Sequence, residues 1–342
     1  MEVETRPTNA AAPESPRAGA PHVAVENLRV KFVDPDVTVH AVNGVSFEIG
    51  RGEVLCILGE SGSGKSVTLR ALMRLLPPRK TRIEGRVQVA GRDILALPAE
   101  ALRRVRGPTV AMIFQEPMTA LDPVFTIGEQ ITEVIRAHDG MDLQAARRRA
   151  LELLNLVQIP SAERRLGAYP HQLSGGLRQR AMIAIALACR PELLLADEPT
   201  TALDATVQIQ VLLLLRSLQR ELGMSMAFVT HDLGVAAEVA HRVAVMYAGR
   251  FVELGPVNDI VKRPRHPYTQ GLLAANVHNV PQDTRLTTIP GAPPDLASLP
   301  PGCSFAARCT HAVAACRAAL PPEVDVGPAG TPHLVRCIRE TA

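Results

Sequence analysis

Residues 59–66 read GESGSGKS and fit the pattern G-x-x-x-x-G-K-[ST], in which a lysine and a hydroxyl follow a glycine-rich loop. The loop lies between an apolar run, VLCIL at residues 54–58, and a helical pattern that begins at Lys65 and reaches about Leu76.

Glycines let backbone N–H groups turn towards phosphate oxygens, and the helix N-terminus adds a positive dipole. Lys65 would neutralise the β- and γ-phosphates, and Ser66 would give its hydroxyl to Mg²⁺. A glycine turn without ligand is a weak alternative, because chance produces this pattern in about one chain in a hundred. We predict a nucleoside triphosphate site formed by Gly59, Ser61, Gly62, Ser63, Gly64, Lys65, Ser66 and Thr68.

Two adjacent acids form a second candidate site. Asp197 and Glu198 end the run LLLADEP, which is typical of a buried strand followed by a loop. Beside a phosphate-binding loop, Asp197 would hold Mg²⁺ and Glu198 would activate a water molecule. The alternative is a solvated loop after a core strand, which the neighbouring glycine loop makes less favourable.

Composition limits the classes of protein to consider. The 342 residues predict about two domains, and 46% hydrophobic with 21% charged residues indicate a globular chain. Aromatic residues are only 3% with no Trp, which disfavours stacking platforms for single-stranded nucleic acid. A net charge of +3 does not by itself indicate DNA or membrane binding, and no apolar run reaches the length of a spanning helix.

The order of periodic segments predicts an α/β fold. Alternating residues over 23–49 and 83–94 predict half-buried strands of an antiparallel layer, and residues 127–168 predict helices with charged faces. Buried strands at 54–58, 193–196 and 226–230 alternate with helical segments and predict a parallel sheet. Residues 1–22 have the composition of a disordered leader, and prolines crowd the chain after residue 263. We expect domains at 23–259, with helical residues at about 116–180, and at 260–342.

The segment LSGGLRQR at residues 173–180 closely resembles the signature motif of ABC-type ATPases. Gln115 in IFQEP, Asp204 in TALD and His231 in VTHDL resemble the Q-loop, D-loop and switch histidine of that family, in matching order. Leu177 departs from the glutamine that many members carry, although a hydrophobic residue is common in the peptide-importer branch. The resemblance implies an α/β P-loop ATPase core with an antiparallel β subdomain, a helical subdomain and bound ATP with Mg²⁺.

The resemblance also implies roles for individual residues. Glu198 polarises the attacking water, His231 contacts the γ-phosphate, and Gln115 joins Ser66 and Asp197 at Mg²⁺ and links nucleotide state to a transmembrane partner. The signature residues close over ATP held by another subunit in a head-to-tail dimer, where they act with Asp204 across the interface: Ser174, Gly175 and Gly176. At a helix start these small residues expose N–H groups that can receive a phosphate, although an N-capped helix without ligand has the same form. His231 could instead be a satisfied histidine near a strand end.

The adenine position is predicted from the opening strand layer. Phe32 is the candidate for stacking on the base. It could equally be a core residue, and His40 lies in the same region.

Three segments resemble the ATP-binding subunits of oligopeptide and dipeptide importers: YPHQLSGG from Tyr169, HPYTQGLLAA from His266 and PGAPPDLASLPPGCSFAARC from Pro290. This branch implies two permease subunits, a second, paralogous ATPase subunit, an extracytoplasmic peptide-binding protein, and a peripheral place on the cytoplasmic face of the inner membrane. No nucleic-acid partner is expected. The alternatives are a nickel or other small-solute importer, a regulatory or redox-sensing subunit, and an ABC ATPase acting on DNA or ribosomes. For that last class a coiled-coil insertion, a second cassette and a strongly basic face are missing.

Four cysteines near the end of the chain are candidate metal ligands: Cys303, Cys309, Cys316 and Cys337. Their spacing lacks the C-x₂-C pair of common zinc sites, and four thiolates suit a [4Fe–4S] cluster equally well. The resemblance associates this extension with an iron–sulfur cluster, so we predict [4Fe–4S], with Zn²⁺ second and free structural thiols as the alternative. Cys56 and Cys189 lie in apolar runs and are predicted to be core residues.

Overall fold

The computed structural model describes residues 21–201, 203–275 and 288–340. The predicted leader therefore lies outside the described residues, apart from its last two. The described strands are β1 Val23–Val33, β2 Thr38–Ile49, β3 Val54–Leu58, β4 Thr81–Val89, β5 Arg92–Asp93, β6 Val110–Ile113, β7 Leu193–Asp197, β8 Ser225–Thr230, β9 Arg242–Tyr247, β10 Arg250–Pro256, β11 Val324–Asp325 and β12 Leu334–Val335. The described helices are α1 Lys65–Leu72, α2 Ala99–Val105, α3 Pro117–Ala120, α4 Ile127–Asp139, α5 Leu143–Leu156, α6 Ala162–Leu166, α7 Gly175–Leu187, α8 Ala205–Leu222, α9 Leu233–Val239, α10 Val257–Lys262, α11 Pro267–Ala274 and α12 Ala314–Ala318.

The strands form two sheets. A four-stranded antiparallel sheet has the order β2-β1-β4-β5, and a larger sheet has the order β11-β12-β10-β9-β3-β8-β7-β6. In the larger sheet the strands from β9 to β6 run parallel, and β10, β12 and β11 add antiparallel strands at one side. The predicted α/β class with a parallel sheet is therefore confirmed.

Strand β3 is buried on both faces, which explains its unbroken apolar sequence. Val54, Cys56 and Leu58 pack into the core beneath helices α4 to α8. Leu55 and Ile57 pack into a second core that includes the antiparallel sheet. Cys56 is a core residue as predicted, whereas Cys189 is half-buried.

The region of residues 127–168 forms three helices, in agreement with its helical period. Thr126 and Glu129 form a capping box at the start of α4, and Asp142 caps α5. Helix α1 ends at Leu72, earlier than the predicted end near Leu76, and Arg74 adopts a left-handed φ of 52° just after it.

The C-terminal residues join the larger sheet. Strand β12 pairs antiparallel with β10, with Val335 opposite Glu253. The Glu253 carboxylate is fully buried, accepts hydrogen bonds from the backbone N–H groups of Arg265 and His266, and lies 2.7 Å from His333 Nε2. The last part of the chain is thus bonded to the same sheet that carries the glycine loop. Within the described ranges, no helix is long and apolar enough to cross a membrane.

Candidate nucleotide-binding site

The glycine loop connects the end of β3 to the first residue of α1. A Cβ atom on Gly59 would lie 2.2 Å from the Met246 carbonyl oxygen, and one on Gly64 would lie 2.3 Å from the Ala41 carbonyl oxygen. Gly64 also has a φ of 105°, a conformation that side chains disfavour. Close approach to neighbouring backbone therefore requires glycine at both ends of the loop.

Lys65 folds back over this loop. Its Nζ donates hydrogen bonds to the carbonyl oxygens of Gly59 at 2.8 Å and Glu60 at 2.9 Å. The Nζ atom also lies 3.8 Å from Glu198 Oε1, and the side chain is only 5% exposed. Burial lowers the pKa of Lys65, and the carboxylates of Glu198 and Asp197 oppose that change. The ammonium is thus held beside the loop, where incoming phosphates would meet it.

Asp197 ends β7 next to the start of α1. Its Oδ1 accepts a 2.6 Å hydrogen bond from Ser66 Oγ, while its Oδ2 is buried and makes no hydrogen bond. Arg70 lies 3.6 Å from Oδ2. Burial raises the pKa of Asp197, and the hydrogen bond from Ser66 opposes that effect. A hydroxyl and a carboxylate with one oxygen outside any hydrogen bond are hard ligands of the kind that Mg²⁺ takes, so these residues fit the ion.

Glu198 has a φ of 45°, which is left-handed and unusual for a residue with a side chain. Its Oε2 accepts hydrogen bonds from Thr201 Oγ1 at 3.0 Å and from Gln115 Nε2 at 3.4 Å, and lies 3.3 Å from His231 Nδ1. The turn after β7 therefore brings the carboxylate to the side chains that follow β6 and β8.

The predicted residues line one cavity of about 620 Å³. Its lining is Phe32, Val39, Ala41, Ser61, Gly62, Gly64, Lys65, Ser66, Val67, Gln115, Glu198, His231 and Leu296. The other predicted residues of the loop and helix lie around it: Gly59, Ser63 and Thr68, the last of which donates a hydrogen bond to the Gly64 carbonyl oxygen. His40 does not line the cavity, and its N–H donates to the Leu296 carbonyl oxygen. Phe32 is thus placed where a base could stack, and its role remains a prediction.

The signature residues lie outside this cavity and are open to solvent at Ser174 and Gly175. Ser174 Oγ caps α7 by accepting from Leu177 N–H, and Asp204 caps α8. A Cβ on Gly176 would lie 2.6 Å from Val207 Cγ1, so α7 packs closely on the start of α8. Within this single chain, the signature and the glycine loop do not form one site.

Comparison with known protein families identifies the family to which these motifs belong. The ABC transporter family matches residues 42–201, and the oligopeptide/dipeptide transporter C-terminal region matches residues 252–316. A peptide import ATP-binding protein of Brucella abortus (strain 2308) is 50% identical over 331 residues, which cover 93% of this chain and 97% of that protein. The chain belongs to the ABC transporter ATP-binding family.

A second relative and a solved structure indicate the same family. The dipeptide transport ATP-binding protein DppD of Bacillus subtilis (strain 168) is 49% identical over 300 residues, 87% of this chain and 90% of that protein. The dimeric post-hydrolysis structure of the ATP-binding cassette MJ0796 with ADP and Pi has a TM-score of 0.61 and 32% identity. It covers 69% of this chain and 98% of that chain. The resemblance drawn from the motifs is therefore confirmed, and this ABC subunit is an ATPase.

None of the four C-terminal cysteines forms a disulfide in the structure. Burial raises the pKa of Cys303, and the nearby thiols Cys316, Cys337 and Cys309 raise it further. The thiols are therefore near one another. Among the residues with described positions, however, no group of three or more His, Cys, Asp or Glu side chains is arranged to hold a metal ion. Among the residues that the structure describes there is therefore no ligand set for the predicted [4Fe–4S] cluster or for Zn²⁺.

Three residues near the glycine loop were missed by the sequence analysis. Tyr268 and Arg308 both contact Glu60, and Leu296 lines the cavity. Tyr268 lies 208 residues and Arg308 248 residues from Glu60 along the chain, so local spacing carries no signal for either contact. The only available signal was that these residues stand in the segments that resemble peptide-importer subunits.

Proposed function

We propose that this chain is the ATP-hydrolysing subunit of an ABC importer of dipeptides and oligopeptides. The observation that carries the proposal is one cavity lined by Lys65, Gln115, Glu198 and His231, in a chain whose C-terminal region matches the oligopeptide/dipeptide transporter family. The similar proteins of Brucella abortus and Bacillus subtilis are named for peptide import and for dipeptide transport.

Each side chain has a distinct task in this proposal. Lys65 binds the phosphates, because its ammonium already lies against the loop carbonyls. Ser66, Asp197 and Gln115 would hold Mg²⁺, which supplies charge neutralisation at the phosphates. Glu198 accepts the proton of the attacking water, and His231, 3.3 Å from Glu198 Oε2, orients that carboxylate and contacts the γ-phosphate.

The exposed signature residues would complete the site of a second ATPase subunit. The N-terminal end of α7 carries Ser174, Gly175 and Gly176 away from the cavity of its own chain. ATP binding would close a head-to-tail dimer, and hydrolysis would reopen it. We propose that the partner is a paralogous ATPase, that two permease subunits and an extracytoplasmic peptide-binding protein complete the importer, and that the chain is peripheral on the cytoplasmic face of the inner membrane.

The test is peptide-stimulated ATPase activity and uptake by vesicles that contain the co-expressed permease, the second ATPase and the binding protein. Glu198→Gln should lower turnover about 10²- to 10⁴-fold, because it removes a general base. Glu192→Gln is the matched control, because Glu192 directly precedes the other end of β7 and, among the described residues, its carboxylate is paired with Arg51 at 3.9 Å. Uptake of nickel without peptide would favour the small-solute alternative. ATPase activity that responds to nucleic acid or ribosomes, without permease association, would refute import.

We also propose that residues 23–259 form the ATPase domain, with helical residues at about 116–180, and that residues 260–342 form a C-terminal extension with the four thiols. The [4Fe–4S] cluster remains a prediction, with Zn²⁺ second. The support is the proximity of the thiols: burial, and then negative charge on the neighbouring thiolates, raises the pKa of Cys303 and Cys337. Anaerobic purification followed by iron, sulfide, zinc and visible-absorbance measurements tests it. A chain with none of these metals would leave free thiols as the correct interpretation.

A further inference from the structure

Glu60, the second residue of the glycine loop, is held at three points. Its N–H donates a 2.9 Å hydrogen bond to Tyr268 Oη, and its carbonyl oxygen accepts the 2.9 Å bond from Lys65 Nζ. Its carboxylate accepts two bonds from the Arg308 guanidinium, at 2.8 and 3.0 Å. Two of the three points come from residues 260–342. The third is the lysine that would bind the phosphates.

The two residues that reach Glu60 are themselves fixed. Arg308 donates from Nε to the Pro290 carbonyl oxygen at 2.9 Å, and its guanidinium lies 5.8 and 5.9 Å from the ring centroids of Tyr247 and Phe305. Its hydrogen bonds to Glu60 raise the pKa of Arg308, so it remains charged. The Tyr268 side chain is fully buried, with its ring 4.6 Å from that of Tyr247. A bidentate guanidinium–carboxylate pair on a packed aromatic cluster restricts both the distance and the orientation of Glu60.

The same extension also forms part of the cavity wall. The Leu296 carbonyl oxygen accepts a 2.9 Å bond from His40 N–H, and Leu296 lines the same cavity as Phe32. Pro293 and Pro294 line a small cleft together with residues 60–63 of the glycine loop. The extension therefore contacts the loop and reaches the region where the base would lie.

We propose that Tyr268 and Arg308 are positioning residues for nucleotide binding. They hold Glu60, and through its carbonyl oxygen they hold Lys65, before ATP arrives. A loop ordered by folding loses less freedom on binding, and its apparent affinity is not reduced by a population of disordered loops. This inference rests on the proposed function at one point, that the glycine loop binds ATP.

The test is an equilibrium titration of the full chain with a fluorescent ATP analogue and Mg²⁺. Tyr268→Phe removes one hydrogen bond but keeps the ring, and Arg308→Lys keeps the charge but loses the paired geometry. Each should raise Kd about three- to tenfold, the effect of one hydrogen bond. Arg336→Lys is the control, because Arg336 pairs at 3.0 Å with Glu323 in the same extension and not with the loop. Its Kd should stay within twofold of the wild-type value.

Kinetics of the assembled importer separate positioning from a general structural role. Tyr268→Phe and Arg308→Lys should raise KM for ATP and change kcat less than twofold, with unfolding midpoints close to that of Arg336→Lys. Lys65→Ala tests whether the glycine loop binds the nucleotide. Wild-type Kd in both variants, with binding lost in Lys65→Ala, would overturn the positioning role alone. A wild-type chain that binds no nucleotide would overturn the proposed function and this inference together.

Discussion

Replacing Phe32 tests whether the cavity wall stacks on a base. Phe32 is half-buried, packs against the core of the antiparallel sheet and is the only aromatic ring apart from His231 among the described residues that line the cavity. Phe32→Leu keeps the apolar packing and removes the aromatic face. A stacked base is worth about 1–3 kcal/mol. With one half-buried ring, we expect the lower part of that range, a roughly tenfold weaker affinity for ATP.

The assay compares two ligands that share phosphates and differ in the base. ATP and inorganic tripolyphosphate are each used to displace a fluorescent ATP analogue from the full chain in the presence of Mg²⁺. Phe32→Leu should lower the affinity for ATP about tenfold and leave the affinity for tripolyphosphate within twofold of the wild-type value. Lys65→Ala should lower the affinity for both ligands, because the ammonium lies at the glycine loop, where both place their phosphates. Phe125→Ala is the control, since this ring is 49% exposed and outside the cavity lining.

Two results would refute the reasoning about Phe32. An ATP affinity of Phe32→Leu within twofold of the wild-type value would mean that the ring is only a core residue. An equal loss for ATP and tripolyphosphate would mean that the substitution deforms the loop and does not act on the base. Thermal unfolding of the free chain separates this second case from simple destabilisation.

Three further predictions concern the loop, the metal ligand and a buried histidine. Gly64→Ala should destabilise the chain by about 1–3 kcal/mol and weaken ATP binding, because φ is 105° and the new Cβ would lie 2.3 Å from the Ala41 carbonyl oxygen; unchanged urea unfolding and affinity would contradict this. Burial raises the pKa of Asp197, so the folded state holds its proton more tightly and stability falls as pH rises through the window between the unfolded and folded pKa values. Asp197→Asn should therefore be at least as stable as the wild type at pH 7 without ligand, yet bind MgATP at least about tenfold more weakly; a variant that Mg²⁺ and ATP still stabilise fully in thermal unfolding would refute the metal role. Burial lowers the pKa of His266 from 6.5 to about 4, and its Nδ1 accepts from Tyr268 N–H, so the unfolded state takes up the proton first as pH falls. Stability should drop by about 3 kcal/mol between pH 6.5 and pH 4, and urea unfolding of His266→Gln should lose that part of the slope; an equal slope in both chains would contradict it.

The convergence of the motifs was predictable from strand order. Gly59, Gln115, Glu198 and His231 each come shortly after a parallel strand, and those strands β3, β8, β7 and β6 are neighbours in the sheet. The carboxyl ends of parallel strands meet at one edge, so residues that follow them must lie close together. The apolar runs predicted three of these strands, β3, β7 and β8, while strand β6 before Gln115 and the order of the neighbours come from the structure.

The contribution of the C-terminal extension was not predictable in the same way. Strands β11 and β12 have two residues each, too short for alternation to be detected. The bonds from Tyr268 and Arg308 to Glu60 join residues more than 200 positions apart. Four cysteines close in sequence and the family resemblance predicted a cluster, while the structure brings the thiols near one another without a ligand set in its described part.

The residues that support the glycine loop extend beyond the segment that matches the ABC transporter family. The match to the ABC transporter family stops at residue 201, but the carbonyl that holds Lys65 belongs to a residue fixed by Tyr268 and Arg308. In β10, Glu253 has its buried carboxylate satisfied by N–H groups of residues 265 and 266 and by His333. A buried carboxylate that loses its partners is strongly destabilising. The extension therefore supplies hydrogen-bond partners both to the glycine loop and to the core sheet, so we expect its removal to destabilise both.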